Sequence, residues 1–159
     1  MTNATSSAAG TDQAAISPIE RRLNRRLLKY WEEQRGTRDF PALKDIDPTA
    51  IPELWPSCFV LDTLSNFSIP YFHYFGPNLS RYSGVFLSGK QDWTATLLDH
   101  AVFHYRQALE QRRPLLIENV LTLFDGSKLL FRSVLLPCSD DQKTINYLLG
   151  AANGKVKRD

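Results

Sequence analysis

The sequence predicts an α+β domain, in which a five-stranded antiparallel sheet carries helices on one face and an N-terminal flanking helix. Three observations lead to this prediction. An amphipathic stretch begins the ordered chain, two apolar and aromatic runs follow it, and three further extended runs come after a second amphipathic stretch. Runs joined by short turns favour antiparallel pairing, because parallel strands need long crossover connections.

Length and composition fit a single domain. The chain has 159 residues, of which 43% are hydrophobic and 23% charged, as in an ordinary soluble globular protein. We expect a disordered tail over residues 1–16, one domain over 17–152 and a basic tail over 153–159. The net charge of +2 is too small to indicate a nucleic-acid partner. Because the sequence shows neither a secretory signal nor an apolar run of ~18 residues, it indicates a cytoplasmic protein without a membrane partner.

The first element is a helix over residues 18–35. Ser17 is expected to cap it, with a proline at the first helical position and a glutamate at the third. Gly36 is placed to end it. Trp31 and Arg35 lie one turn apart, so they are expected to stack as a cation–π pair that anchors the helix to the domain. The arginines of its polar side are interpreted as a solvated face, since glutamates dilute them.

Residues 45–56, DIDPTAIPELWP, form a segment that we call the clasp. Proline fixes φ and lacks a backbone donor, so Pro48 and Pro52 each suit the first position of a short helical turn. Asp47 is expected to cap the first turn, and Pro56 to end the second and start a strand. Three prolines at this spacing predict a rigid connection between the first helix and the sheet.

The core, residues 57–152, holds the predicted sheet. CFVLDTL and FSIPYFHYF form a hairpin, Gly76 breaks the second strand, and a short helix follows in NLSRYSG. Apolar residues at helical spacing predict one long helix between Trp93 and Gln111. The runs PLLIENVLTLF, LLFRSVLLP and TINYLLGAA supply three more strands, and a DG turn joins the first two.

Three runs cover roughly residues 27 to 151: LLKYWEEQRGTRDFPALKDIDPTAIPELWPSCFVLD, YFHYFGPNLSRYSG and LLFRSVLLPCSDDQKTINYLLGAA. Together they resemble the proteobacterial single-domain PAS-like family. The resemblance implies a PAS fold and a role in signalling. It also keeps haem as an alternative cofactor, because some PAS domains bind haem through a histidine on their long helix.

The residues themselves predict no catalytic group, no metal site and no cofactor. The run GVFLSGKQ departs from the phosphate-loop pattern at its last position, where Gln91 replaces the hydroxyl that binds magnesium. His100 and His104 lie one helical turn apart without further ligands nearby in the sequence, so metal binding by this pair is left open. Cys58 and Cys138 lie far apart in the chain and are expected to be buried free thiols.

The preferred function is a non-enzymatic regulatory module that acts through protein–protein contacts, with a partner that the sequence does not identify. The apolar stripe of the first helix is expected to exceed what its own sheet covers, and therefore to form a homodimer interface. The interface candidates are Ile19, Leu23, Leu27 and Tyr30.

Two other functions stay open. The first is a sensor that binds a small ligand or haem in a cavity between the sheet and the long helix. Its pocket candidates, which could equally fill the core, are Phe72, Tyr74, Phe103, Tyr105, Phe124 and Phe131. The second is an enzyme on a similar curved sheet, for which His73 and Asp62 are the acid–base candidates.

Overall fold

The computed structural model describes residues 18–64, 71–82 and 96–157, which form one sheet and its covering helices. The helices are α1 (Pro18–Arg35), α2 (Leu97–Val102) and α3 (Tyr105–Gln111). The strands are β1 (Cys58–Asp62), β2 (Tyr71–Phe75), β3 (Leu115–Thr122), β4 (Lys128–Cys138) and β5 (Tyr147–Lys157). Short 3₁₀ helices lie at Leu43–Asp45, Pro48–Ala50, Trp55–Ser57 and Pro77–Tyr82.

The strands lie in the order β2-β1-β5-β4-β3, and every neighbouring pair is antiparallel. This confirms the predicted α+β fold with its five-stranded antiparallel sheet. The first helix also has its predicted bounds. The long β4–β5 ladder and the β3–β4 hairpin hold most of the sheet together, and β1 joins them through β5.

Alternation along the strands gives the sheet two faces. We call the face that carries Phe59 and Phe131 the inner face, and the face that carries Val60 and Val134 the outer face. The 3₁₀ helix Pro77–Tyr82 and α2 cover the inner face, since the rings of Tyr82 and His100 lie 5.9 and 5.7 Å from that of Phe131. Helix α1 and the clasp cover the outer face, so the flanking helix lies opposite the other helices.

Helix α1 is held against the sheet by burial and by one directed bond. Leu23, Leu27 and Trp31 are 3%, 0% and 3% exposed. The indole nitrogen of Trp31 donates a hydrogen bond of 2.8 Å to the Pro137 carbonyl of β4. The Arg35 guanidinium lies 5.7 Å from the centre of the Trp31 ring, as their spacing in the sequence predicts.

The clasp consists of three consecutive short turns where the sequence predicts two. Pro48 starts the first, and the Asp47 carboxylate accepts a hydrogen bond of 2.9 Å from the Thr49 amide. Pro52 lies in the second, which closes by hydrogen bonds to the Ile51 carbonyl. Pro56 lies inside a third turn rather than at the start of the strand, which begins two residues later.

Gly76 allows the backbone after β2 to lie in close contact with the end of the clasp. Its amide donates to the Cys58 carbonyl at 2.8 Å. A Cβ atom at this position would lie 2.4 Å from the Pro56 carbonyl oxygen, so the backbone approach leaves room for glycine alone.

Besides the clasp, two predicted elements differ in the structure. The single helix predicted from Trp93 to Gln111 is instead two, because His104, at the N-cap position of α3, leaves the helical conformation at ψ 17°. Residues 93–95 lie outside the described residues. The basic tail predicted from residue 153 is strand as far as Lys157. The reason is the length of β4, whose first residue, Lys128, pairs with Lys157 and so supplies the tail with backbone partners.

Candidate functional site

The outer face has a covered end and an open end. Along β4, Val134, Leu136 and Cys138 are fully buried beneath α1 and the clasp, whereas Leu130 is only partly buried. On β3, which pairs only with β4 among the described residues, Leu116 is 47% and Val120 is 55% exposed. We call Leu116, Val120 and Leu130 the outer patch. It is an apolar surface on an edge strand, where natural sheets usually place polar side chains.

The register explains how the outer patch forms. Val120 lies directly opposite Leu130, and both project from the outer face. Between them and Leu116, Glu118 lies opposite Arg132, and the carboxylate accepts a hydrogen bond from the guanidinium Nε. The outer patch therefore consists of Leu116 on one side of the Glu118–Arg132 ion pair and the Val120–Leu130 pair on the other side.

The predicted interface residues are placed elsewhere, and the reasoning behind them needs correction. Leu23 and Leu27 are buried against the protein's own sheet, so they offer no surface to a partner. Tyr30 is partly buried, and its hydroxyl accepts a hydrogen bond of 2.8 Å from the Asp47 amide of the clasp. The side chain of Ile19 lies outside the described residues. Leu23 and Leu27 fail as interface residues because they pack into the protein's own core.

The inner face contains polar groups within an apolar layer. The Ser133 hydroxyl is fully buried and has no hydrogen-bond partner. The ring nitrogen Nε2 of His100 lies 3.2 Å from the side-chain amide of Asn119, and the Tyr82 hydroxyl accepts a bond of 3.0 Å from the Gly154 amide. An unpaired buried hydroxyl is costly, which makes Ser133 the polar atom of this face most in need of a partner.

The six predicted pocket residues do not come together. Phe72 and Phe131 lie on the inner face, where Phe131 is fully buried. Tyr74 lies on the outer face and stacks on Trp55 of the clasp at 4.2 Å. The other three are not strand residues. Phe103 and Phe124 lie in connections and are 71% and 83% exposed, and Tyr105 is partly buried in α3.

The reactive groups considered from the sequence are dispersed or unreactive. Burial raises the pKa of both the Cys58 and the Cys138 thiols to about 12, so they stay protonated at neutral pH. Asp62 pairs in register with residue 71 rather than with His73, which is exposed and contacts the ring of Tyr147. Within the described ranges, no three histidine, cysteine or acidic side chains are grouped as a metal would require.

His100 and His104 lie on opposite sides of the break between α2 and α3. Their ring centres are 6.2 Å apart.

The phosphate-loop-like run GVFLSGKQ lies outside the described residues. Among the helices that the structure describes, none has both the length and the apolar character needed to cross a membrane.

Sequence reasoning missed the outer patch. The strand LLIENVLT carries apolar residues at positions that alternation assigns to both faces, which is the available signal. An edge strand that is apolar on both faces needs either cover or a partner. The predicted helices cover one face of the sheet, and the prediction assigned no cover to this part of the other face.

Comparison with known proteins gives one family. The family model described as PAS domain matches residues 19–153. A solved structure described as "Flavin Analogue Sheds Light on Light-Oxygen-Voltage Domain Mechanism" is similar, with a TM-score of 0.44 and 15% identity over 67% of this chain and 82% of that chain. A search of curated proteins found no match.

Proposed function

Because the chain belongs to the PAS domain family, and is in that respect a signalling module, we propose that it acts without chemistry of its own, through protein contacts. We further propose that the first of these contacts is self-association into a homodimer through the outer patch. The buried free thiols suit the reducing cytoplasm, where we place the protein.

The exposed outer patch is the observation that carries this proposal. Leu116 and Val120 leave roughly half of their side-chain surface in water, and removing such apolar surface from water contributes roughly 25 cal/mol per Å². In a two-fold dimer the same surface meets itself, so the apolar positions would face each other. Glu118 and Arg132 would also be complementary, since each copy presents one acid and one base.

The dispersal of reactive groups supports a non-enzymatic role. General acid–base catalysis needs two groups within hydrogen-bond reach of one substrate. Of the two candidates, Asp62 lies opposite residue 71, whereas His73 falls at the register shift of β2 and contacts the ring of Tyr147. The protonated thiols lie within the core, where they cannot attack a substrate.

Val120→Glu tests the dimer. We expect the wild-type chain to show twice its 18.1 kDa mass in light scattering at micromolar concentration, and the variant to show the single mass. Leu64→Glu, at a residue 58% exposed but outside the outer patch, is the matched control and should remain dimeric. A wild-type monomer, or a dimer that survives Val120→Glu, would contradict the proposal.

The second candidate function is sensing of a small ligand at the inner face, and the unpaired Ser133 hydroxyl favours it. A ligand with one polar group could satisfy that hydroxyl while its apolar part contacts Phe131. Native mass spectrometry and a visible absorption spectrum of the purified chain test this candidate. An adduct or a haem band that Ser133→Ala removes would support it, whereas unmodified mass and no visible absorption would count against it.

A further inference from the structure

A cleft of about 300 Å³ lies on the outer face, between the N-terminal part of α1 and strands β3 and β4. Its walls include three arginines and one glutamate, together with a buried amide and an apolar side chain. These residues are Arg22, Asn24, Arg25, Leu116, Glu118 and Arg132. The cleft shares Leu116 with the outer patch, but most of the side chains that line the cleft are polar.

The cleft carries surplus positive charge. Arg132 is paired with Glu118, so these two charges offset each other. Arg22 and Arg25 are exposed, and neither has a hydrogen bond or ion pair within the part of the chain that the structure describes. They lie three residues apart on α1, a spacing that places both guanidinium groups on one side of the helix. Two unpaired guanidinium groups are therefore available to the same ligand.

Asn24 adds a buried polar group at the same place. Its side chain is only 8% exposed, and its Oδ1 atom has no hydrogen-bond partner. The Oδ1 atom is an acceptor, so an anionic ligand leaves it unpaired, and only the NH₂ group of this amide can donate to such a ligand. Because Oδ1 is shielded from solvent, the polar atom of this amide that remains for the cleft is the donor Nδ2.

We propose that this cleft binds a small organic polyanion that carries at least two carboxylate or phosphate groups. Arg22 and Arg25 pair with the anionic groups, since guanidinium matches the planar geometry of a carboxylate and the oxygens of a phosphate. Asn24 donates to an oxygen at the buried end, and Leu116 contacts the carbon skeleton. Such a ligand joins α1 to β3 and β4, which ties the position of the flanking helix to ligand concentration.

A titration with citrate, a tricarboxylate of suitable size, tests the site. Amide resonances of the isotopically labelled chain are followed at constant ionic strength, with chloride replacing citrate in the reference series. We expect saturable shifts at residues 22–25, 116–118 and 132, with residues of the inner face unchanged. Shifts that are linear in citrate, or that chloride reproduces, would overturn the proposal.

Variants separate a built site from general charge attraction. The Arg22→Ala/Arg25→Ala variant should weaken citrate binding by about tenfold or more. The Lys29→Ala/Lys143→Ala variant removes the same charge at exposed residues that do not line the cleft, and should bind citrate as the wild type does. Equal weakening in both variants would indicate charge attraction alone and would overturn the proposal.

Asn24→Leu supplies a readout that a purely structural role would not produce. It should weaken citrate binding while leaving thermal stability equal or higher, because it removes an unpaired buried amide. Unchanged citrate affinity would exclude Asn24 from the site and overturn its assigned role. An acidic peptide that binds where citrate does not would overturn the small-ligand assignment.

The same titration in the Val120→Glu background keeps this proposal apart from self-association. Citrate binding should persist in that variant, since Val120 does not line the cleft. Loss of binding together with loss of the dimer would show that the cleft is a product of association, contrary to the proposal.

Discussion

The two ends of the outer face use the same kinds of residue and differ in what covers them. At one end, Val134 and Leu136 of β4 are fully buried beneath α1 and the clasp. At the other end, Leu130 on the same strand and Val120 on its neighbour remain at the surface. At both ends the amino-acid sequence is that of an apolar strand. The difference therefore comes from the reach of the covering elements and not from the strands themselves.

The dimensions of α1 explain why part of the outer face is left uncovered. A helix of 18 residues is roughly 27 Å long and about 10 Å wide, so it covers about two strands of a sheet spaced at about 4.8 Å. The clasp extends the cover towards β1, where the Cys58 thiol donates to the Leu54 carbonyl. Edge strand β3 lies beyond both. A five-stranded sheet with one flanking helix leaves an open edge, and here that edge carries the outer patch and the cationic cleft.

The largest expected effect comes from placing the same charge at each end. Leu23→Glu buries a carboxylate without a partner in a site that is 3% exposed, and should lower the free energy of unfolding by about 4 kcal/mol or more. Val120→Glu, at 55% exposure, should change it by less than about 0.5 kcal/mol when both chains are compared at a concentration low enough for the wild type to be monomeric. Urea denaturation followed by circular dichroism measures both. Similar losses would mean that the two ends do not differ in cover.

A smaller effect is expected from the bond that holds α1 to β4. Trp31→Phe removes the hydrogen bond to the Pro137 carbonyl and part of the ring, at a cost of about 1–3 kcal/mol. Trp55→Phe is the matched control, because its ring stacks on Tyr74 while its indole nitrogen donates no hydrogen bond within the described residues. The first variant should lose more stability in the same denaturation measurement. The reverse order would contradict the anchoring role.

The smallest effect concerns the first residue of the clasp, Asp45, and depends on pH. The Ala42 amide, followed by the Arg38 guanidinium, holds the pKa of Asp45 below its ordinary value of 3.8. A lowered pKa in the folded state adds stability above pH 4 or so, and that stability is lost as the pH falls through the folded pKa. Asp45→Asn should therefore be less stable than the wild type at about pH 6, and the gap should narrow towards about pH 3.

The control for this pH series is Asp39→Asn, at an exposed carboxylate without a hydrogen bond among the described residues. It should be about as stable as the wild type in the same measurement at about pH 6, because no hydrogen bond within the described part of the chain is lost. A gap for Asp45→Asn that stays constant on acidification would mean that the carboxylate charge plays no part.

Much of the fold could be predicted because its signals are local. The proline and glycine that bound α1, the prolines of the clasp and the DG turn between β3 and β4 each act on neighbouring backbone. The break between α2 and α3 could not be predicted in this way, because apolar spacing continues across His104. The continuation of β5 to Lys157 likewise depends on a strand far away in the chain.

The candidate site was harder to predict for a similar reason. Leu23 and Leu27 are apolar at helical spacing whether a helix meets its own sheet or a second copy, and the pattern does not distinguish the two. Ser133 lies in an apolar run, where nothing in the sequence indicates that its hydroxyl is without a partner. Leu116 and Val120 likewise match the partly buried members of their strand in composition.

By itself, the sequence determined the order and kind of most elements and the PAS family, because capping, turn chemistry and side-chain periodicity act within a few residues. Only the tertiary structure decided which apolar surface stays in water. It placed α1 over the outer face, where the helix and the clasp bury some strands and leave the edge strand uncovered. The physical reason is that burial depends on the sizes and positions of distant elements, which no local pattern records.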